Sequence, residues 1–191
     1  MHRGWEKVIY YSQPLFYFLF MVKVYLRKIK PFDKNYFAKW WRDKELLRLT
    51  SGVLKLISDK EVDKYFLEIL DNKNDYNFMV LVNRKVIGHI SLVKRRNNWH
   101  ETQIVIGEKK YWGKGFGSRA IKIIIRKARK KGIFKIYLEV RPTNTRAILA
   151  YEQCGFQKVK MVKYHNNKYL TETLRMELKT ALLTNATKLR F

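Results

Sequence analysis

The segment Tyr111-Trp112-Gly113-Lys114-Gly115-Phe116-Gly117-Ser118 stands between a run of β-formers, Glu101 to Ile106, and an amphipathic helix predicted over Ser118 to Lys131. Three alternating glycines at such a junction let the backbone turn tightly and take positive φ angles. With no Cβ atoms in the way, their N–H groups can crowd around an anion. The helix start behind them adds unpaired donors and the positive end of its dipole. A strand, a glycine loop and a helix in this order form one unit of an α/β domain, and the loop reads as a pyrophosphate cradle. No Gly-Lys-Ser/Thr follows at P-loop distance, and the spacing differs from Gly-x-Gly-x-x-Gly. On spacing alone an ordinary turn fits as well. Charge sharpens the reading, because Lys109 to Lys135 contains no acidic residue. Lys110, Lys114 and Arg119 sit in or beside the loop, where they can meet phosphates. Arg126, Lys127, Arg129, Lys130 and Lys131 lie further along the helix and read as a solvated face, with a ligand's phosphate or a passing nucleic acid as the alternative partner.

Strands and helices alternate on both sides of this junction. Val24 to Ile29 reads as a short opening strand, and Asp33 as the N-cap of a helix carrying Tyr36, Phe37, Trp40 and Trp41. A second amphipathic helix is predicted over Asp59 to Leu70, with Val62, Tyr65, Phe66, Ile69 and Leu70 on one face. Phe78–Val82 and Val86–Val93 form a hairpin joined by Asn83-Arg84-Lys85. The loop helix buries Ile121, Ile124, Ile125 and Ala128 and stops at Gly132. A strand over Phe134 to Val140, a helix over Thr145 to Gln153 stopped at Gly155, and strands near Gln157–Lys163 and Tyr169–Glu177 complete the pattern. Leu46–Lys60 and Val93–Trp99 carry no readable signal.

The chain has 191 residues, enough for one domain with a sizeable core. Forty-one Lys and Arg face sixteen Asp and Glu, so the formal charge of +25 draws polyanions and opposes small, highly cationic ligands unless a local acidic pocket overrides it. Cys154 is the only cysteine, which excludes an internal disulfide and a cysteine-based zinc site, and fits a reducing cytoplasm. His2, His89, His100 and His165 lack metal-ligand spacing, so no metal is expected. Residues 1–21 differ from the rest: Arg3 and Lys7 precede an apolar, aromatic run from Val8 to Val22, interrupted by Gln13 and Pro14. No small-residue cleavage site follows, and the run is short of the about 20 apolar residues a spanning helix needs. It reads as an untranslated extension, with synthesis expected to begin at Met21, and with a membrane-surface anchor or an apolar segment packed on the domain as alternatives. The domain proper is expected over 22–179 and a basic tail over 180–191.

Gln103–Ile106, Trp112-Gly113-Lys114-Gly115-Phe116-Gly117, Ile136-Tyr137-Leu138-Glu139-Val140 and Asn144 through Tyr151 to Gly155-Phe156 resemble consecutive signature blocks of the GNAT acetyltransferases. Within that family they look like the branch of ribosomal-protein N-terminal and spermidine N-acetyltransferases. Tyr25-Leu26-Arg27 through Asp33 to Trp41-Arg42-Asp43, and the closing strand with Glu172 and Met176, are similar to that branch too. The likeness covers about residues 22 to 179. It departs at Trp112, where the family pattern has Gln or Arg.

The resemblance implies a single α/β domain with a mixed, mostly antiparallel sheet flanked by helices and a V-shaped cleft for acetyl-CoA. It implies that backbone groups of Ile104, Val105 and Ile106 bind the pantetheine arm. The amides of Trp112, Gly113, Lys114, Gly115, Phe116, Gly117 and Ser118 would hold the pyrophosphate. Asn144 would hydrogen-bond the pantetheine or help fix the thiol end, and Tyr151 would protonate the departing thiolate. A base must take a proton from the amine. Glu101 is the first candidate and His100 the second. The residues also admit plainer readings: Tyr151 as a core tyrosine, Glu101 as a polar strand-edge residue, His89 as a satisfied sheet histidine. Cys154 reads as a small buried residue, and Trp40 and Trp41 as core and rim. The implied acceptor is a protein α-amine or another small primary amine, and the charge favours one presented by a ribosome or an acidic protein. A homodimer is compatible with the resemblance. The rival function is a domain that binds acetyl-CoA or nucleic acid without turnover.

Overall fold

The computed structural model describes residues 22–50 and 54–178. The extension expected at 1–21 and the tail expected at 180–191 lie outside the described residues. β1 (Val24–Lys28) leads through a 3-10 turn into α1 (Lys34–Trp40), α2 (Lys44–Thr50) and α3 (Asp59–Asp71). The β2 (Tyr76–Val82) and β3 (Lys85–Lys94) hairpin follows, then β4 (His100–Ile106) and α4 (Phe116–Arg129). β5 (Ile136–Val140), α5 (Thr145–Glu152), β6 (Phe156–Lys163) and β7 (Glu172–Leu178) close the domain. Among the described residues no helix is long and apolar enough to cross a membrane.

All seven strands join one sheet in the order β1-β2-β3-β4-β5-β7-β6. β2 is buried on both faces, so it reads as a continuous apolar run. Phe78, Val80 and Val82 point into the larger core beneath α4 and α5, while Met79 and Leu81 meet Phe37, Trp40, Leu46 and Phe66 from α1 to α3. The hairpin turn is two residues, Asn83 and Arg84, both at positive φ as a tight type I′ turn requires. Lys85 therefore belongs to β3 and pairs with Val82.

Three expectations change. Asp33 does not cap α1 with its side chain. Its fully buried carboxylate accepts two hydrogen bonds from Arg27, at 2.7 and 3.0 Å, and one from the Lys30 N–H at 2.8 Å. Tyr65 turns outward from α3, while Val62 and Phe66 fill the core. The strand expected from Phe134 starts at Ile136, and Phe134 is exposed. The unread stretch after Leu46 holds the rest of α2 and the start of α3. There Ser58 and Glu61 form a reciprocal capping box, with the Ser58 N–H donating to Glu61 at 2.7 Å.

One strand pair sets the site. β4 and β5 are the sheet's parallel neighbours, joined by α4 as the crossover such a pair needs. They pair only at His100↔Ile136 and Glu101↔Tyr137. β4 then runs on to Ile106 and β5 to Val140 without pairing, so the two strands splay and open a V in the sheet.

Candidate active site

The splay leaves the β5-facing edge of β4 without a strand neighbour beyond Glu101. Backbone groups of Ile104, Val105 and Ile106 line this open stretch, held on their other side by the β3 ladder. The mouth of the V is filled by the glycine loop. Gly113 and Gly115 take φ of 70° and 73°, which a side chain would strain. Gly115 is the left-handed N-cap of α4, which starts at Phe116, two residues earlier than predicted. The first i→i−4 bond runs from the Arg119 N–H to the Gly115 carbonyl. The N–H groups of Phe116, Gly117 and Ser118 precede it and have no acceptor within the helix. Gly117 lies beside Ile106 and Ile104, so these donors sit against the open end of β4.

The basic residues of the loop differ in what holds them. Lys114 is exposed. Lys110 lies over the Tyr111 ring at 5.5 Å. The Arg119 guanidinium donates to the Val22 carbonyl and so ties α4 to the start of β1. The Trp112 indole N–H donates to the Ile106 carbonyl at 2.6 Å, and the Arg146 guanidinium lies 4.6 Å from the Trp112 ring centroid. Arg146 belongs to α5, so this stack links the loop on the β4 side to the helix that follows β5.

On the α5 wall, the Asn144 Oδ1 caps the helix by accepting the Ala147 N–H at 3.2 Å. One turn or two further on, Tyr151 packs edge-on to Phe156, with ring centroids 6.2 Å apart. Burial, and then the neighbouring Cys154, push the Tyr151 phenol up to about 12, so it stays protonated at neutral pH. Cys154 is near the Ser118 carbonyl, at 3.5 Å from its Sγ, and its own thiol is raised by burial. Tyr151 therefore stands where the end of α5 meets the start of α4.

Glu101 lies elsewhere. It sits at the closed end of the V, in the last paired position of β4. Its Oε2 accepts from Arg95 at 2.6 and 2.9 Å, and its Oε1 from Gln103 at 3.1 Å. Both oxygens are thus engaged, one by a guanidinium. His100 is buried beside the same pairing, and its Nδ1 has no hydrogen-bond partner.

A second carboxylate carries no signal of its own in the sequence beyond being one acidic residue in an otherwise apolar strand. Glu139 is two residues past the last pairing of β5 with β4, on the same face as Tyr137 and Glu101. Its Oε2 accepts the Thr173 hydroxyl at 2.8 Å and the Tyr164 phenol. No Lys or Arg pairs with it among the described residues; Arg175, opposite in register, turns to Glu177 at 2.8 Å and covers the Tyr137 ring at 3.7 Å. Burial and the hydrogen bond to Glu139 hold the Tyr164 phenol up to about 12.

The family model described as Acetyltransferase (GNAT) family matches residues 34–156. A curated relative, an uncharacterized protein of Methanocaldococcus jannaschii, is 25% identical over 104 residues, which is 53% of this chain and 21% of that protein. The chain thus spans about a fifth of that relative's length. A domain from the same organism superposes with a TM-score of 0.70 at 20% identity, over 82% of this chain and 98% of that one. Spermidine N-acetyltransferase from Vibrio cholerae, solved with CoA and spermine, gives 0.70 at 22% identity, over 81% and 94%. An aminoglycoside acetyltransferase solved with coenzyme A and kanamycin gives 0.67 at 17% identity, over 81% and 94%. At these identities the structures share the fold.

Proposed function

The chain belongs to the GNAT acetyltransferase family, and on that premise we propose that it moves an acetyl group from acetyl-CoA to a primary amine, in the first place the α-amine of a protein or peptide. The observation that carries the reading is the splay of β4 from β5, with a glycine loop and a helix start at its mouth. In this reading the open edge of Ile104–Ile106 takes the pantetheine arm. The amides from Trp112 to Ser118 take the pyrophosphate, where a helix N-terminus favours negative charge. Asn144 positions the thiol end, either through its remaining amide donors or by fixing the start of α5.

A thioester is already activated, so the main task is to hold an amine against its carbonyl carbon. The amine nitrogen forms the new C–N bond, the C–S bond breaks, and the sulfur leaves with the electron pair. Tyr151 is the proton donor to that sulfur. A phenol at about 12 is a weak acid toward a free thiolate. A thiolate released into the same dry surroundings is itself pushed up, as the Cys154 thiol is, and this narrows the gap. The acceptor arrives as an ammonium and gives one proton to Glu139 before the neutral amine attacks. The nitrogen's second proton leaves as the tetrahedral adduct collapses and balances the one Tyr151 gives to the sulfur. Glu139 is preferred over Glu101 because its partners are two hydroxyls, whereas Glu101 is neutralised by Arg95.

The same face supports a singly charged acceptor. Of its carboxylates Glu101, Glu139 and Glu177, two are paired with Arg95 and Arg175, leaving Glu139 to meet one ammonium. A polyamine would bring several charges against a chain of formal charge +25.

The test is thiol release from acetyl-CoA with N-terminal peptides, spermidine, amino sugars and aminoglycosides. Turnover of peptides is expected. Glu139→Gln and Tyr151→Phe should each lower kcat by about 100-fold or more, the usual weight of a positioned acid or base, with CoA affinity nearly kept. Glu101→Gln should cost much less. An equal loss with Glu101→Gln would move the base back to Glu101, and a preference for spermidine would overturn the acceptor. CoA binding with no turnover on any amine would favour a non-catalytic binder.

A further inference from the structure

We propose that the outward face of α4 is a docking surface for the sugar-phosphate backbone of a nucleic acid, separate from the cleft and independent of whether acetyl transfer is the chemistry there. Lys122, Arg126, Lys127, Arg129 and Lys130 are all exposed on this helix, and Lys131 and Lys135 continue the surface beyond it. Ala120, Ile121, Ile124, Ile125 and Ala128 clamp the opposite side of α4 into the core, so the charges ride on a fixed support. Lys122, Arg126, Arg129 and Lys130 follow the i, i+4, i+7, i+8 spacing of one stripe. At ~1.5 Å rise per residue that stripe runs about 12 Å along the axis.

None of these seven cations forms an ion pair with a described carboxylate. On the other face of the sheet Lys34, Lys39, Arg42, Lys55 and Lys109 each hold an acidic partner, while Lys44, Arg48, Lys60 and Lys64 stand among Asp and Glu residues that the α4 surface lacks. The helix dipole accounts for bases in the last turn of α4, and not for Lys122, Lys131 or Lys135. Like charges one turn apart, as in Lys122/Arg126 and Arg126/Lys130, oppose the helix, so the arrangement is kept against a local cost.

The chemistry favours nucleic acid over a lipid surface. A membrane-surface helix inserts apolar side chains from its outward face. Here the isoleucines of α4 are buried, apart from the half-buried Ile123. The exposed side chains of α4 are all Lys and Arg, and beyond its end one exposed aromatic, Phe134, stands between Lys131 and Lys135. The helix itself carries groups suited to phosphates and no amide to read base edges, so the contact is independent of sequence.

The experiment is fluorescence anisotropy of the full chain with a labelled RNA duplex across a salt series. A second arm uses vesicles containing phosphatidylserine. The test variant combines Arg126→Gln, Arg129→Gln and Lys130→Gln. A control of equal charge combines Lys44→Gln, Lys60→Gln and Lys64→Gln on α2 and α3, across the sheet. The parent should bind with a steep salt dependence. The α4 variant should bind at least about tenfold more weakly. Its slope of log K on log salt should be shallower by about two to three, close to ~0.9 for each phosphate that is no longer neutralised. The control should shift binding far less, and acetyl transfer to a free amine should be unchanged in both. Equal losses in the two variants would mean diffuse attraction by net charge and would overturn the proposal. So would binding to the vesicles without binding to RNA, or the absence of salt-dependent RNA binding.

Discussion

His89 faces the α1–α3 layer, edge-on to Phe37 with ring centroids 4.9 Å apart, and its Nε2 has no hydrogen-bond partner. The sequence suggests a satisfied sheet histidine; the structure has a half-buried one whose enclosed Nε2 is unsatisfied. Burial lowers its pKa from 6.5 to about 4, with only a partial opposing pull from Asp33. The linkage follows. The unfolded chain takes up a proton as pH falls below 6.5, and the folded chain refuses it until about 4. Stability is therefore unaffected above that window, declines as pH falls through it, and is lower by about 2 kcal/mol at pH ~5 from this one group. His89→Leu removes the titration and keeps an apolar side chain of similar size. Urea unfolding at pH ~7.5 and ~5 should show a drop in the parent that shrinks by about 2 kcal/mol in the variant. Parallel losses in both proteins would place the acid sensitivity elsewhere.

Two glycines show why elements, and not motifs, decide tolerance. Gly88 lies on β3 beside the irregularity near Val80/Leu81, and a Cβ there would stand 2.1 Å from the Val105 carbonyl oxygen. Backbone cannot yield as a side chain does, so Gly88→Ala must push β3 from β4. The expected result is destabilisation of about 3 kcal/mol or more, with loss of CoA binding because β4 carries the cleft edge. Gly117 sits inside the glycine loop, yet it is helical and a Cβ would meet nothing closer than 3.7 Å. Gly117→Ala should therefore be neutral or gain up to about 1 kcal/mol, while keeping its N–H for phosphate. Thermal unfolding and CoA titration of the pair test both statements, and a severe Gly117→Ala defect would show that an anion needs the space itself. The element pattern is legible in the sequence because β2, β3 and α4 carry long apolar signals at the periods of strand and helix. α2 is not, since only Leu46 and Leu47 of its seven residues are buried. The glycine loop and the β4 edge proposed to take the cofactor stand out in the sequence because they lie within one short segment, 104–118. Glu139, proposed above as the base, does not stand out, because Tyr164 and Thr173, whose hydroxyls it accepts, lie 25 and 34 residues further along the chain. Arg95, whose pairing with Glu101 leaves Glu139 as the proposed base, arrives from the stretch before β4 where Asn97 and Asn98 take positive φ.

Across the whole molecule the acidic residues are segregated. Ten of the sixteen are tied into ion pairs within the described residues, and none occurs between Lys109 and Lys135. This arrangement leaves a strongly positive field at α4 and the glycine loop and a weaker one over Glu101, Glu139 and Glu177, as the proposed anion and ammonium sites would require. It also bears on stability. A formal charge of +25 repels itself in the compact state, whereas the exposed ion pairs return little each. Raising salt from about 0.01 M to about 0.15 M shortens the screening length from about 30 Å to about 8 Å, which weakens the long-range repulsion more than contacts at ion-pair distance. The melting temperature should therefore rise with sodium chloride over this range, by a few degrees for each kcal/mol of repulsion relieved in a domain of this size. If repulsion concentrated at α4 is the source, the Arg126→Gln, Arg129→Gln, Lys130→Gln variant should melt higher than the parent at low salt and gain less from added salt. A melting temperature that falls as salt is added would show that the ion pairs outweigh the repulsion, and that the unpaired cations of α4 cost the fold nothing measurable.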